Sequence, residues 1–379
     1  MANKNFNVMI VLPSLERGNV ERYSIDLAIE LKANGHNVVV VSAGGILLKE
    51  LRRADVDHIQ LPVNSTDIFK IHSNAKILAK IIKDMRINIV HANSRATAWV
   101  CSLACKGTDT KLITTFHSIY DNGFLGWKKF YNRFMVAGDA IIAPSLFLAE
   151  HIVKNYHTSS DKIFIVNNWF DSDNFGNGAV SVERIIKTAN TLHIPEDKRV
   201  ISLIGKIIKS QGQILFIDTI AKLKRDDVVA FIVGNGSENF KNKLRKKIAD
   251  LNLQRVINII NEVDVPAVYA LSDVIVNAAT YPTGFAHDIL EAAAMGRTVV
   301  AANHGSACDI IVNDKTGKLV NANDVDALAD GISWALNLSE EDRRALSSNA
   351  SKHAHFNFSK SAKINYIMDI YEKLLKNQK

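Results

Sequence analysis

The sequence predicts an α/β protein made of two doubly wound, parallel-sheet domains in series. Three observations carry this. Short runs rich in Val and Ile, apolar at successive positions and so on both faces, alternate with segments of helical period. The alternation pauses at Ser172–Val182, where Gly, Asn and Asp cluster, and restarts after Asp197. At 379 residues the chain can bury two cores of ordinary size.

In the first domain, 1–175, strands are expected at Asn7–Leu12, Val38–Ser42, His58–Leu61, Ile87–His91, Leu112–Phe116, Ala140–Ala143 and Ile163–Val166. A helix over Val20–Ala33 places Val20, Tyr23, Leu27 and Leu31 on one face, and Gly35 is positioned to end it. In the second domain, 183–359, strands are expected at Val200–Ile204, Val228–Val233, Val256–Ile260, Val274–Asn277, Thr298–Ala301 and Lys318–Val320. A helix begins at about Ala286, after the turn through Pro282, Thr283 and Gly284. The last 20 residues, 360–379, form a helix with Ile364, Ile367, Ile370 and Leu374 on one stripe. Two such lobes are expected to leave a cleft facing the carboxyl ends of both sheets.

The composition excludes several classes. No apolar run approaches the ~20 residues of a membrane span, and Pro13 ends the apolar run near the start before it reaches signal-peptide length, so a cytoplasmic protein is expected. Three cysteines, two of them at Cys101 and Cys105 on one helix face, imply neither a disulfide framework nor a metal site. Net charge is +7, with 22 Lys and Arg against 17 Asp and Glu in residues 1–195 and 24 against 22 in the remainder. This mild excess suits phosphate-bearing ligands or an anionic membrane surface and is too weak to argue nucleic acid. Val233-Gly234-Asn235-Gly236 lacks the third Gly of a dinucleotide fingerprint, and there is no Walker A loop. A solute-binding protein would carry an export signal. What remains for a two-lobed cleft is a nucleotide-sugar site.

The motifs agree in order and spacing with one family. "LERGNVERYSIDLAIELKANGHNVVVVS", "IVHANSRATAW", "LITTFHSIY", "VGNGSE", "VPAVYALSDVIVNAA" and "GFAHDILEAAAMGRTVVAANHGS…TGKLV" together resemble glycosyltransferase family 4, which has the GT-B fold, over nearly the whole chain. The resemblance implies that the last helix crosses back onto the first domain. It also implies a retaining, metal-independent transfer from a nucleotide diphosphate-sugar, with front-face displacement and the leaving phosphate helping to deprotonate the acceptor. No cofactor is expected, and the acceptor is expected to be a hydroxyl on a lipid-linked or envelope glycan, as in lipopolysaccharide biosynthesis.

Physical chemistry supports a donor site around Gly284–Glu291. N–H groups at a helix start near Gly284, Phe285 and Ala286 favour a diphosphate. Glu291, one to two turns in, can hold a ribose diol, and the resemblance gives the Glu at this position that task. The chain departs from the family pattern at four places. Thr283 stands where a second Glu is usual. Lys206 replaces an Arg and Gln211 a Lys, with Lys209 two residues away as a substitute cation. Asn19 follows Gly18 in place of a second Gly, and Ser306 replaces another Gly. Cationic donors of this sort contribute about 3–4 kcal/mol each to stabilising developing charge, so their loss weakens turnover.

Other residues are weighed singly. The resemblance places His117, which ends a strand, by the donor sugar. His287 is as readily solvent-facing as functional, and His91 is read as a strand-end group. Arg95 is assigned to acceptor or phosphate contact, with a structural ion pair equally open. Glu21 and Arg22 are read as surface residues. Asp171-Ser172-Asp173 spells a metal motif in a linker and is read as turn chemistry, so no metal is expected. Gly123–Met135 is basic and aromatic, either a buried helix or a peripheral contact with the inner membrane face. Two functions follow: a retaining glycosyltransferase using His117, Lys206 and Glu291, or a catalytically weak nucleotide-sugar-binding protein on the same scaffold. A phosphorylase finds no specific sign in the sequence.

Overall fold

The computed structural model describes residues 5–120 and 131–376. The chain divides into two compact units: Met1–Asn168 with Ser361–Lys379, and Trp169–Lys360. Each contains one parallel sheet of Rossmann-like topology. All thirteen expected strands are present, none with an end displaced by more than two residues.

In the first unit the strands are β1 (Asn7–Val11), β2 (Asn37–Ser42), β3 (Asp57–Gln60), β4 (Ile89–Ala92), β5 (Lys111–Thr115), β6 (Ala140–Ala143) and β7 (Ile163–Ile165). They lie in the order β3-β2-β1-β4-β5-β6-β7. Strand order therefore reverses between β1 and β4. Met9, Val11, Val39, Val41, Val90 and Ala92 face helices Ile68–Asp84 and Arg95–Ala104, whose Leu78 and Val100 join the same core. The alternate residues Val8, Ile10, Val38, Val40 and Ile89 are buried too. Burial on both faces explains why these strands read as continuous apolar runs.

In the second unit the strands are β8 (Arg199–Ile204), β9 (Val228–Val233), β10 (Ile257–Ile260), β11 (Val274–Asn277), β12 (Thr298–Ala302) and β13 (Lys318–Val320). Their order is β10-β9-β8-β11-β12-β13, reversing between β8 and β11. Val200, Val229, Phe231 and Ile275 pack on one face against Ile289, Leu290 and Ala354. Ile201, Ala230, Ile232 and Val276 pack on the other against Phe216, Leu244 and Ile332.

The division falls before Trp169, whereas the sequence placed it after Phe175. The cause is aromatic burial: Phe170 belongs to the second unit's core, and the Phe175 ring meets Tyr269 edge-on at 5.8 Å. The expected linker holds a short helix, Ser172–Phe175, whose N-cap Asp171 accepts from the Asp173 N–H at 3.1 Å. The Asp-Ser-Asp triplet is thus a helix start. No helix among the described residues is long and apolar enough to cross a membrane. Of the basic aromatic stretch Gly123–Met135, all before Tyr131 lies outside the described residues.

The C-terminal helix, Lys360–Lys376, buries Ile364, Ile367, Ile370, Tyr371 and, in place of Leu374, Leu375. Its Tyr371 hydroxyl lies 2.7 Å from His91 Nδ1, and His91 Nε2 lies 2.6 Å from Thr115 Oγ1. Burial lowers the His91 pKa to about 3, so the ring is neutral, with one nitrogen donating and the other accepting. We expect Tyr371→Phe to cost about 1–3 kcal/mol by leaving a buried ring nitrogen unpaired. Because unfolded His binds its proton near pH 6.5, stability of the first unit falls as pH drops from there towards 3, by on the order of 5 kcal/mol from this group. Hydrogen exchange of the first-sheet amides across that range measures both effects; an acid-insensitive first sheet would refute the assignment.

Candidate active site

The helices differ at their starts. Those at Ile68–Asp84, Arg95–Ala104, Leu146–Tyr156 and Glu238–Asp250 begin at Asp67, Ser94, Ser145 and Ser237, each accepting a backbone N–H with its side chain. Helices Asn19–Ala33, Gln213–Leu223 and His287–Ala294 begin at Gly18, Gly212 and Ala286, none of which supplies a side-chain cap. These three follow β1, β8 and β11, the strands that flank or define the two reversals of strand order. In open α/β sheets ligands bind outside the carboxyl ends at such points, and helix N–H groups left without a side-chain partner favour an anion.

In the second unit the loops after β8 and β11 meet. The Thr280 N–H donates to the Ser210 carbonyl at 2.9 Å. A Cβ on Gly212 would overlap the Ala278 carbonyl oxygen, and φ there is +75°, so the position admits only Gly without rearrangement. Lys206 and Lys209 on the β8 loop are exposed, with no ion-pair partner among the described residues. Gln211, half-buried, closes a turn through its N–H to the Ile208 carbonyl. Gln213 Nε2 donates to the Lys206 carbonyl at 2.9 Å, which fixes the backbone that carries that cation.

Glu291 lies on the second turn of helix His287–Ala294, half-buried. The Tyr269 hydroxyl donates to Glu291 Oε2 at 3.1 Å. Loss of solvent raises the Glu291 pKa to about 8 despite that bond, with nearby Asp288 and Asp171 adding to the rise. Near neutral pH the group is a carboxylic acid, able to donate as well as accept. Asp288, one turn earlier, accepts from Asn277 Nδ2 at 2.7 Å, and burial raises its pKa to about 6. His287 is packed edge-on to Phe285 at 5.1 Å and is neutral, its pKa lowered by burial to about 4. Thr283 and Gly284 sit in the β11 loop, where Gly305 approaches the Thr283 backbone and the Ser306 N–H reaches the Thr283 carbonyl at 3.4 Å. His304 Nε2 donates to the Ala279 carbonyl at 2.7 Å. Phe285 and Ala286 are buried and serve the core.

In the first unit His117 follows β5, and its Nε2 donates to Asn93 Oδ1, 3.3 Å away at the end of β4. The Tyr23 ring stands edge-on to it at 5.4 Å. Gly18 and Asn19 begin the helix after β1, but the Glu21 carboxylate folds over Gly18, so this helix start already holds an anion of the chain's own. Arg95 Nη1 donates to Asn132 Oδ1 at 3.2 Å, and its guanidinium lies over the Tyr120 ring at 4.6 Å. That is a cation–π anchor in place of the ion pair considered from sequence.

Sequence reasoning missed Tyr269, Asn277, Asn93 and Tyr23. Tyr269 stood inside a quoted motif, yet nothing in its neighbourhood told that its hydroxyl would reach a carboxyl 22 residues on.

Residues 20–174 match the family model described as Glycosyltransferase Family 4, and residues 185–353 match Glycosyl transferases group 1. The crystal structure of a glycosyltransferase from Rickettsia africae ESF-5 is 34% identical, with a TM-score of 0.91 over 99% of this chain and 100% of that one. Anabaena Alr3699/HepE in complex with UDP, 20% identical over 97% of this chain and 100% of its own, shares the fold with a TM-score of 0.83. D-inositol 3-phosphate glycosyltransferase of Corynebacterium aurimucosum is 25% identical over 219 residues, which span 55% of this chain and 50% of that protein.

Tyr269→Phe removes the bond that holds the Glu291 pKa down, so that pKa rises above about 8. Folding stability contributed at this site is full while Glu291 is protonated in both states, below about 4.5, and declines as pH rises towards 8. Carboxyl carbon NMR titration reads the shift directly; an unchanged Glu291 titration in the variant would contradict the contact.

Proposed function

The chain belongs to the family 4-type glycosyltransferases, and we propose that it is a retaining enzyme that moves a sugar from a nucleotide diphosphate-sugar to a hydroxyl of a lipid-linked or envelope glycan. One observation carries the reading. The second unit brings together the side-chain-free start of helix His287–Ala294, Glu291 on its second turn, and the exposed cations Lys206 and Lys209 at one reversal of strand order.

In this reading the diphosphate lies at the helix start, and Lys206 and Lys209 meet the charge that grows on it as the bond to the anomeric carbon breaks. Glu291 holds the ribose diol. The acceptor oxygen bonds to the anomeric carbon on the face the diphosphate leaves, and its proton passes to a diphosphate oxygen. No metal is assigned a part, because lysines and N–H groups supply the positive charge. His117, held by Asn93 in the first unit, is kept as a proposed catalytic residue.

A second reading, a nucleotide-sugar-binding protein with little turnover, is favoured by one particular of the first unit: the Glu21 carboxylate occupies the helix start beside Gly18. Gln211, neutral where the family carries a cation, and Thr283 point the same way.

Calorimetry with UDP-, GDP- and ADP-sugars, alongside transfer of labelled sugar to envelope extracts, separates the two. We expect one nucleotide class to bind and Glu291→Ala to weaken it at least tenfold; affinity untouched by that substitution would end the donor-site assignment. Binding without transfer supports the second reading, and Gln211→Lys with Thr283→Glu should then raise turnover. Donor affinity should hold to about pH 7 and fall above about pH 8, as Glu291 ionises beside a diphosphate, and Glu291→Gln should flatten that profile.

A further inference from the structure

A cavity of about 320 Å³ opens at the opposite ends of the same strands, lined among others by Asp273, Arg297, Glu340, Arg343 and Arg344. Asp273 directly precedes β11 and Arg297 directly precedes β12, so this cavity is distinct from the loops that follow the carboxyl ends of those strands.

Its charges do not balance. Asp273 Oδ1 pairs with Arg199 at 2.9 Å and more distantly with Arg343 at 3.8 Å, while Asp273 Oδ2 accepts the Val200 N–H at 2.7 Å. Glu340 is shared between Arg343 and Arg344. Arg297 has no carboxylate partner among the described residues. Its Nη1 donates to the Ala270 carbonyl at 3.0 Å and its Nε to the Met295 carbonyl at 3.3 Å, leaving Nη2 uncommitted. Among the residues that line the cavity, three guanidinium groups stand against two carboxylates, a local surplus of one positive charge. Burial lowers the Arg297 pKa; Asp273 opposes that fall and Arg343 adds to it. A surplus of one sign favours a partner of the other, and planar guanidinium forks match the oxygens of a phosphate bidentately.

We propose that this cavity is a second ligand site, for the phosphate group of a small phosphate ester, bound among Arg297, Arg343 and Arg344. The surplus positive charge favours an anionic group, and the volume of about 320 Å³ leaves room for a sugar-sized remainder. The site is independent of the donor assignment, since it shares no residue with it.

The experiment is calorimetry on the full chain at low ionic strength, with inorganic phosphate and with ribose 5-phosphate, in the presence of saturating UDP. Binding of the ester that persists under UDP, weakens with added salt, and falls about tenfold in Arg343→Gln and in Arg344→Gln supports the proposal. Arg344 is 79% exposed, so its substitution leaves the fold intact even if a change at Arg297 does not. Displacement by UDP, equal binding in both variants, or no binding of either phosphate overturns it. Vesicles containing phosphatidylglycerol form a further arm, and Arg343-dependent binding to them alone would mark the cluster as a membrane contact and overturn the small-ligand reading.

Discussion

The second unit depends on how closely its backbone segments approach where strand order reverses. Gly212 lies against the Ala278 carbonyl, and Gly234 against the carbonyl of Gly205, with no room for a Cβ at either contact. The first approach holds the loop after β8 against the loop after β11, and the second holds the loop after β9 against the loop after β8. A side chain at Gly212 would have to push the two loops apart, break the Thr280–Ser210 bond, and bear the strain of a positive φ. The arrangement of the three loops therefore rests on two places where no side chain is allowed.

The two units use one topology in different ways. Both leave the helix after their first strand without a side-chain cap. In the second unit the neighbouring side chains are neutral or cationic, so the helix start keeps its attraction for an anion. In the first unit the Glu21 carboxylate lies over Gly18 at the helix start. The first unit instead concentrates polar groups inside its sheet: His91 bridges Thr115 and the Tyr371 hydroxyl of the C-terminal helix. That buried bridge demands geometry from a helix joined to the unit only after the whole second sheet has been made. Apolar packing alone would accept several rotations of the helix; a hydrogen-bonded His accepts one.

Much of this was legible in the sequence. Parallel strands buried on both faces are apolar at every position, and such runs stand out against the helical period between them. Glu291, Lys206 and the turn at Gly284 were legible because each lies within a motif whose parts are close in the chain. What was not legible depends on distance along the chain. The pairs Tyr269–Glu291, Asn277–Asp288 and Asn93–His117 join separate elements, and neither partner alone carries a sign of the other. The division between units was misplaced for the same reason: the polar residues of 171–177 read as a linker, while Phe170 and Phe175 are tied to a core assembled much later in the chain. The Arg95 guanidinium, open from sequence to a ligand or an ion pair, lies 4.6 Å from the Tyr120 ring centre and 5.6 Å from that of Tyr131, partners distant in the chain.

The protonation of Glu291 resolves an electrostatic conflict in its own assignment. A carboxylate and a diphosphate in one site repel each other, and Asp288 lies close by as a further acid. Desolvation eases that conflict by raising the Glu291 pKa, and a bound anion would push it higher still. A carboxylic acid then faces a diol with one donor and one acceptor, which matches a pair of adjacent hydroxyls as well as a carboxylate does. Tyr269 sets the direction: its hydroxyl donates to Oε2, which leaves Oε1 free to turn to a ligand and supply the remaining contact. An Asp at 291, one methylene shorter, would draw its carboxyl back from the Tyr269 hydroxyl, so side-chain length matters to this contact.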